Sequence, residues 1–171
     1  MNYHTFIDSP TGKLLLTSDG NSLTGLYFQK TETEYLILIN DSNENSSLAI
    51  FQQTEVQLRE YFAGKRTDFD LPLNMKGSPF QLTVWNALKK IPFGTTWSYG
   101  ELAHNIGNPA ASRAVGLANG KNPISIIVPC HRVIGDNGTL TGYGGGLANK
   151  RLLLDLEKCH MVEHGLPVQR V

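Results

Sequence analysis

The stretch 98-SYGELAHNIGNPAASRAVGLANG-120 predicts two short helices joined by a tight turn. Ser98 and Glu101 have the spacing of a capping box. In this motif each side chain accepts a hydrogen bond from the backbone N–H of the other residue at the start of a helix. The helix that begins there runs through Ile106 and ends at a glycine, and Asn108-Pro109 begins the next helix. Two short helices on either side of such a turn are typical of the helix-turn-helix motif.

The second of these helices has very little side-chain bulk. One interpretation is a helix that packs closely against a neighbouring helix. The other is a thin helix that enters a nucleic-acid groove, with Arg113 as its one long cationic side chain. The residues alone leave both interpretations open. The small residues are Ala110, Ala111, Ala114, Gly116, Ala118 and Gly120.

A longer helix is predicted before this pair. Ser78 and Gln81 form another capping box, with Pro79 at the first helical position, where its missing N–H costs nothing. Pro92 and Gly94 end the helix. Between the ends, apolar residues recur at helical spacing, namely Val84, Trp85, Leu88 and Ile91.

The segment 125-SIIVPCHRVIG-135 places a cysteine between a proline and a histidine. Its apolar run, 126–128, predicts a strand buried on both faces, which Pro129 ends because proline lacks a backbone donor. A free cysteine is most often a small core hydrophobe. At a broken strand end beside an imidazole, however, Cys130 is also placed to act as a nucleophile.

A nucleophilic Cys130 needs a base, because cysteine reacts as its thiolate. His131 is adjacent, but successive strand residues point to opposite faces, so we expect a bridging water or a kink at Pro129 between the two side chains. An acid would then orient the imidazole. Glu157 and Asp155, on a predicted amphipathic helix, are both candidates, and spacing does not choose between them.

The first half of the chain predicts a small unit of strands and helices. Its segments are, in order, strands in YHTFI and KLLLTS and over 23–28, a strand or short helix over 33–40, a loop over 42–47, a helix over about 48–63, an extended segment over 68–73 and a linker near 74–78.

Charge is distributed unevenly although the 171 residues have a net charge of zero. Residues 1–75 hold 5 basic and 10 acidic residues, whereas residues 76–132 hold 6 basic residues and 1 acid. The second half is therefore expected to bind the phosphate groups of a nucleic acid. No apolar run approaches the roughly 20 residues of a membrane helix, the polar start is unlike a signal peptide, and two cysteines make no disulfide framework, so we expect a cytoplasmic protein.

Four motifs resemble those of the O6-alkylguanine-DNA alkyltransferase family, the methylated-DNA–protein-cysteine methyltransferases. They are PCHRVIG, 97-WSYGELA-103, 112-SRAVGLANGKNP-123 and 142-GYGGGLANKRLLLDLE-157. The first half, with LREYFAG near its end, resembles the family's N-terminal domain. The resemblance implies a ribonuclease H-like α/β domain over residues 1–75. A mostly helical domain with a helix-turn-helix and the active-site cysteine would follow over residues 76–171.

The resemblance also implies the activity, which is DNA repair by direct reversal of damage. O6-alkylguanine, and also O4-alkylthymine, would be flipped out of the duplex, and the alkyl group would move irreversibly to Cys130 in a single turnover. His131, acting through a water, and Glu157 would form the relay that generates the thiolate. Asn122 would brace the site. No cofactor and no metal are implied.

Further residues acquire roles towards DNA from the same resemblance. Arg113 would fill the gap left by the flipped base, and Tyr99 would crowd the target phosphate and give a proton to the leaving guanine. The thin helix, with Ala114 and Gly116 on it, would enter the minor groove, which is about 6 Å wide. The expected partner is alkylated double-stranded DNA, bound by a monomer that contacts no membrane.

The base pocket is implied to be lined by Tyr143, Gly144 and Val133. Gly144 stands where some members of the family place a serine or a bulkier residue. This departure removes one side-chain contact to the O6 atom and predicts a roomier pocket.

Four other functions fit parts of the pattern less well. An alkyltransferase-like protein without the cysteine is disfavoured by Cys130, and an adaptive-response regulator would need a further domain with zinc-binding cysteines. A papain-like hydrolase would carry its histidine far from the cysteine in sequence, and a plain DNA-binding protein gives PCHR no role. Only the transferase would gain a covalent alkyl group from alkylated DNA.

Overall fold

The computed structural model describes residues 1–166, which form two compact units. Unit 1 consists of Met1–Lys76 together with Pro123–Ser125, and unit 2 consists of Gly77–Asn122 together with the chain from Ile126 onward. The chain therefore leaves unit 2 for three residues, just before the segment that carries Cys130, and then returns to it.

Unit 1 is built on a four-stranded sheet with the order β3-β2-β1-β4. The strands are β1 (Asn2–Ser9), β2 (Gly12–Ser18), β3 (Leu23–Tyr27) and β4 (Ser42–Glu44). The first three form the predicted antiparallel meander, and β4 runs parallel to β1. The two helices are α1 (Glu32–Ile39) and α2 (Ala49–Phe62). The predicted helix over about 48–63 is confirmed by α2, which buries Phe51, Leu58 and Tyr61.

Hydrogen bonds decide the ambiguous segment 33–40 and correct the loop predicted over 42–47. Segment 33–40 is the helix α1, because Thr31 and Glu34 form a capping box at its start. The loop predicted over 42–47 is wrong for its first three residues, which form β4. Their side chains carry no strand signal, since the pairing with Asn2–His4 is made by the backbone.

Residues 123–125 lie against β3 within unit 1. The carbonyl oxygen of Pro123 accepts a hydrogen bond from the amide of Leu26 at 2.9 Å, and the amide of Ser125 donates to the carbonyl of Leu26 at 3.1 Å. This pairing joins residues almost 100 positions apart in the chain. No local sequence pattern could have predicted it.

Unit 2 is mostly helical. Its helices are α3 (Pro79–Leu88), α4 (Tyr99–Asn105), α5 (Ser112–Gly120) and α6 (Leu147–Glu163), and a two-stranded parallel sheet pairs β5 (Trp97–Ser98) with β6 (Val133–Ile134). The capping boxes at Ser78 and Ser98 are both present. The helix-turn-helix is confirmed as α4 and α5, although a short 3-10 turn over Pro109–Ala111 precedes α5.

The strand predicted over 126–128 is wrong. These residues form turns, and Ile126 has a φ of +70°, which no strand contains. Their side chains are nevertheless buried, which is why the apolar run resembled a buried strand. The backbone is satisfied by other groups: the side-chain amide of Asn122 donates to the carbonyl oxygen of Val128 at 2.8 Å.

Because the strand is missing, Pro129 does not end a ladder. It precedes a 3-10 turn over Cys130–Arg132 that leads directly into β6. The alternation expected of strand side chains therefore does not apply to Cys130 and His131. In the part of the chain that the structure describes, no helix has both the length and the apolar character needed to cross a membrane.

Candidate functional site

Cys130 lies inside unit 2 at the start of the 3-10 turn and is 4% exposed. The side chains of Asn122, Tyr143 and Lys150 act on its thiol and favour the charged form. Burial raises the pKa of Cys130 above its ordinary value, although those three residues oppose the rise. The resting group is therefore a thiol, and a base must remove its proton before it can react.

His131 and Glu157 form a buried hydrogen-bonded pair. The Nε2 atom of His131 lies 2.7 Å from Oε1 of Glu157, and both side chains are almost completely inaccessible to solvent. Asp155, the other acid considered, is exposed on α6. The structure thus brings Glu157, and not Asp155, to the imidazole.

Arg132 is a further member of this cluster that the sequence pattern did not indicate. Its guanidinium donates to both carboxylate oxygens of Glu157, at 3.0 to 3.2 Å, and to the carbonyl oxygen of Ile91 at 2.7 Å. The amide of Gly94 also donates to Glu157 Oε2, at 3.1 Å. The arginine is visible in PCHR, directly after the histidine, but its position in the sequence does not show that it is buried.

The charges in this cluster follow from its contacts. Burial alone would raise the pKa of Glu157, but His131 and the Arg132 guanidinium hold that pKa well below its usual range. Burial lowers the pKa of His131 below its ordinary value, even though Glu157 raises it. At neutral pH the pair is therefore an ionised carboxylate and a neutral imidazole.

The tautomer of His131 follows from those charges. An ionised carboxylate only accepts hydrogen bonds, so Nε2 must carry the ring hydrogen. Nδ1 then has a free lone pair and can take a proton. This Nδ1 is buried and has no hydrogen-bond partner within residues 1–166.

Lys150 is the second functional side chain that sequence reasoning missed. It is fully buried on α6, and its ammonium group donates to the carbonyl oxygens of Val133 at 2.6 Å and Thr141 at 3.0 Å. Burial lowers the pKa of Lys150 to about 8, and a negative charge on Cys130, when it is a thiolate, opposes that change. Its signal was a lysine at an inward position of an amphipathic helix, three residues before Leu153.

The residues implied to line the base pocket lie around this lysine. Val133 is buried in β6, Tyr143 belongs to the pocket loop (residues 135–146), and its ring centroid lies 5.9 Å from the Lys150 ammonium. Gly144 is exposed in the same loop, and an added Cβ there would meet nothing within 4 Å. The space beside Gly144 is open.

The residues implied to face DNA lie on or beside the helix-turn-helix. Arg113 and Ala114 are exposed on α5. Tyr99 is the first residue of α4, and its ring lies against α5, where a Cβ added at Gly116 would be 3.5 Å from the ring. The Tyr99 hydroxyl accepts a hydrogen bond from Thr141 Oγ1 at 3.2 Å.

Comparisons with known proteins find matching family models and similar proteins. Residues 79–159 match the family described as 6-O-methylguanine DNA methyltransferase, DNA binding domain, and residues 2–75 match its ribonuclease-like domain. A methylated-DNA–protein-cysteine methyltransferase of Methanosarcina acetivorans is 53% identical over 156 residues, covering 91% of this chain and 97% of that protein.

Two mycobacterial proteins give the same result. A methylated-DNA–protein-cysteine methyltransferase of Mycobacterium bovis is 51% identical over 92% of this chain and 93% of its own length. The crystal structure of Mycobacterium tuberculosis OGT in complex with DNA superposes with a TM-score of 0.85 at 49% identity, covering 92% of this chain and 94% of that chain.

Replacing Glu157 with glutamine should lower the free energy of unfolding by roughly 3–5 kcal/mol, because the buried Arg132 guanidinium loses its anion. Urea unfolding at pH 7 measures this loss. The pKa of Glu157 is lower in the folded than in the unfolded chain, so the carboxylate stabilises the fold above about pH 4.3 and its contribution is lost as the pH falls further. The difference between wild type and variant should shrink over the same range.

Asp155→Asn is the matched control for this substitution. Asp155 is an exposed carboxylate on the same helix, so its loss should change the unfolding free energy by less than about 0.5 kcal/mol. Equal stabilities of Glu157→Gln and wild type at pH 7 would contradict the ionised, buried carboxylate.

Proposed function

Because the chain belongs to the 6-O-methylguanine DNA methyltransferase family, we propose that Cys130 is the residue that accepts the alkyl group. The activity is repair of DNA by direct reversal, in which an alkyl group leaves O6 of guanine and is bound by a cysteine of the protein itself. The observation that carries the assignment to Cys130 is its burial beside a neutral histidine that a buried carboxylate orients. Cys159, the other cysteine, is exposed on α6.

The proposed relay runs from Cys130 through one water molecule to Nδ1 of His131. That nitrogen carries the free lone pair, and the ionised Glu157 stabilises the imidazolium that forms when it accepts the thiol proton. Arg132 keeps Glu157 ionised and in place, so it acts as a positioning residue. Asn122 and the positive charge of Lys150 both favour the charged form of the sulfur.

The transfer step is a displacement at the alkyl carbon. The thiolate of Cys130 forms the new S–C bond while the C–O6 bond of the guanine breaks, and the electron pair of that bond remains on the guanine. A proton from the Tyr99 hydroxyl neutralises the leaving base. The product is a thioether, for which this site offers no hydrolytic or reductive exit, so each molecule acts once.

DNA is engaged, in this proposal, by α5 in the minor groove. Ala114 and Gly116 let the helix backbone approach the groove closely, and Arg113 inserts where the target base was stacked. Flipping a base costs a few kcal/mol of unstacking, and an inserted side chain offsets part of that cost. The flipped base is received by Tyr143, Val133 and the backbone beside Gly144, where the open space also suits O4-alkylthymine and larger O6 groups.

We further propose that residues 1–75 and 76–171 act as two domains and that all of the chemistry belongs to the second. Cys130, His131 and Glu157 come from one chain and one unit, which supports action as a monomer. A cytoplasmic location is proposed because Cys130 must remain a reduced thiol.

The covalent step is tested by mass spectrometry after incubation with duplex DNA that contains O6-methylguanine. Wild type should gain one methyl group per molecule, carried on the peptide that contains Cys130. Cys130→Ser should gain none while still binding the duplex, and Cys159→Ser should behave as wild type. Methylation of Cys159, or several turnovers per molecule, would contradict the assignment.

Base flipping is tested with Arg113→Ala. Transfer from duplex DNA should slow on the order of 10- to 100-fold, because the unstacking cost is no longer offset, whereas transfer from free O6-benzylguanine should be unchanged. Single-turnover rates on the two substrates measure the difference.

Arg151→Ala is the matched control for the lost charge, since Arg151 is exposed on α6. This variant should react with both substrates at nearly the wild-type rate. An equal loss of rate on both substrates in Arg113→Ala would place Arg113 in the fold or in the relay instead.

The relay is tested by the pH profile of Glu157→Gln at a temperature where the variant is folded. The rate near pH 7 should fall strongly, because an uncharged glutamine no longer stabilises the imidazolium. Raising the pH towards 9 should restore part of the rate, since solvent hydroxide then removes the thiol proton. The recovery should stay partial, because Lys150 loses its charge above about pH 8. A profile parallel to wild type over pH 6–9 would remove Glu157 from the relay.

A further inference from the structure

We propose that Thr141 is a positioning residue that couples the DNA-facing Tyr99 to the pocket around Cys130. Thr141 lies in the pocket loop and makes two hydrogen bonds in different directions. Its Oγ1 donates to the Tyr99 hydroxyl at 3.2 Å, and its carbonyl oxygen accepts from the Lys150 ammonium at 3.0 Å. The inference rests on the proposed function, in which Tyr99 contacts the DNA.

The pocket loop needs such anchors because packing does not fix it. Cβ atoms added at Gly142 or Gly144, on either side of Tyr143, would meet nothing within 4 Å. Thr141 itself is exposed, so its position is set by hydrogen bonds and not by burial. The same ammonium that holds its carbonyl also holds the carbonyl of Val133 at 2.6 Å. Lys150 thereby ties the loop to β6, directly after the Cys130 turn.

The bond to Tyr99 also directs the chemistry of the phenol. A phenol has one proton and can accept as well as donate. When Thr141 donates to the Tyr99 oxygen, the phenolic proton is free to point away from the loop, towards a phosphate or a base. A hydroxyl that accepts one hydrogen bond is a stronger donor in the next. Thr141 therefore both orients Tyr99 and strengthens it as a donor.

The two hydrogen bonds together connect the helix-turn-helix to Lys150. Tyr99 begins α4 and rests its ring against α5 at Gly116, so displacement of these helices by DNA moves the phenol. Thr141 links that phenol to Lys150, whose charge acts on Cys130. Docking of the DNA and closure of the pocket are thus expected to depend on each other.

The test compares single-turnover rates on duplex O6-methylguanine for Thr141→Val and Thr141→Ser. Valine keeps the shape and the carbonyl but removes the hydroxyl, so the rate should fall about 3- to 10-fold, the effect of one hydrogen bond. Serine keeps the hydroxyl and should retain most of the rate. If serine is as slow as valine, the methyl group matters and the coupling is refuted.

Two further variants separate coupling from a local effect on the loop. Thr139→Val removes a hydroxyl that bonds Asn137 in the same loop, and it should react as wild type. In a Tyr99→Phe background, Thr141→Val should cause no additional loss, because the oxygen that Thr141 serves is absent. A full 3- to 10-fold loss in that background would overturn the inference. Failure of the wild-type protein to acquire any methyl group would instead overturn the proposed function.

Discussion

The ionised carboxylate of Glu157 is the group on which the interior of unit 2 depends. It accepts hydrogen bonds from His131, from Arg132 and from the amide of Gly94. Glu157 belongs to α6, and its donors belong to the Cys130–Arg132 turn and to the segment after α3. A buried carboxylate costs several kcal/mol in lost hydration, so it stabilises the fold only while its donors stay in place. The requirement that keeps the helices together also fixes which nitrogen of His131 is free to act as a base.

Lys150 holds the pocket loop in place through Thr141, as Arg132 holds Glu157 in place. Both are buried cations whose donors are used inside the protein, on backbone carbonyl oxygens and on Glu157. This corrects the argument from charge distribution, since Arg132 was one of the six basic residues counted towards a phosphate-binding surface. The excess of positive charge on residues 76–132 is therefore partly internal. What favours DNA is the helix-turn-helix geometry more than the number of cations.

The parts of the fold that the sequence predicted are those set by neighbours along the chain. The capping boxes at Ser78 and Ser98 work within four residues, so the helix starts were visible in the sequence. The apolar residues 126–128 wrongly predict a strand. Their side chains are apolar because they are buried, and their backbone does not pair as a strand. The choice of Glu157 over Asp155 came from the family resemblance and not from spacing. The pairing of residues 123–125 with β3 depends on contacts between distant residues. Only the three-dimensional structure could supply them.

The small residues of α5 lie in two different environments. The sequence left two interpretations, close packing inside the protein or approach to a groove. A Cβ at Gly116 would meet the Tyr99 ring at 3.5 Å, an ordinary contact, and one at Gly120 would meet nothing within 4 Å. Ala114 is exposed. Packing within unit 2 accounts for Ala118, which is buried, but does not require the lack of bulk at Gly120 and Ala114. Small exposed residues at these two positions fit the proposed approach of α5 to a narrow groove.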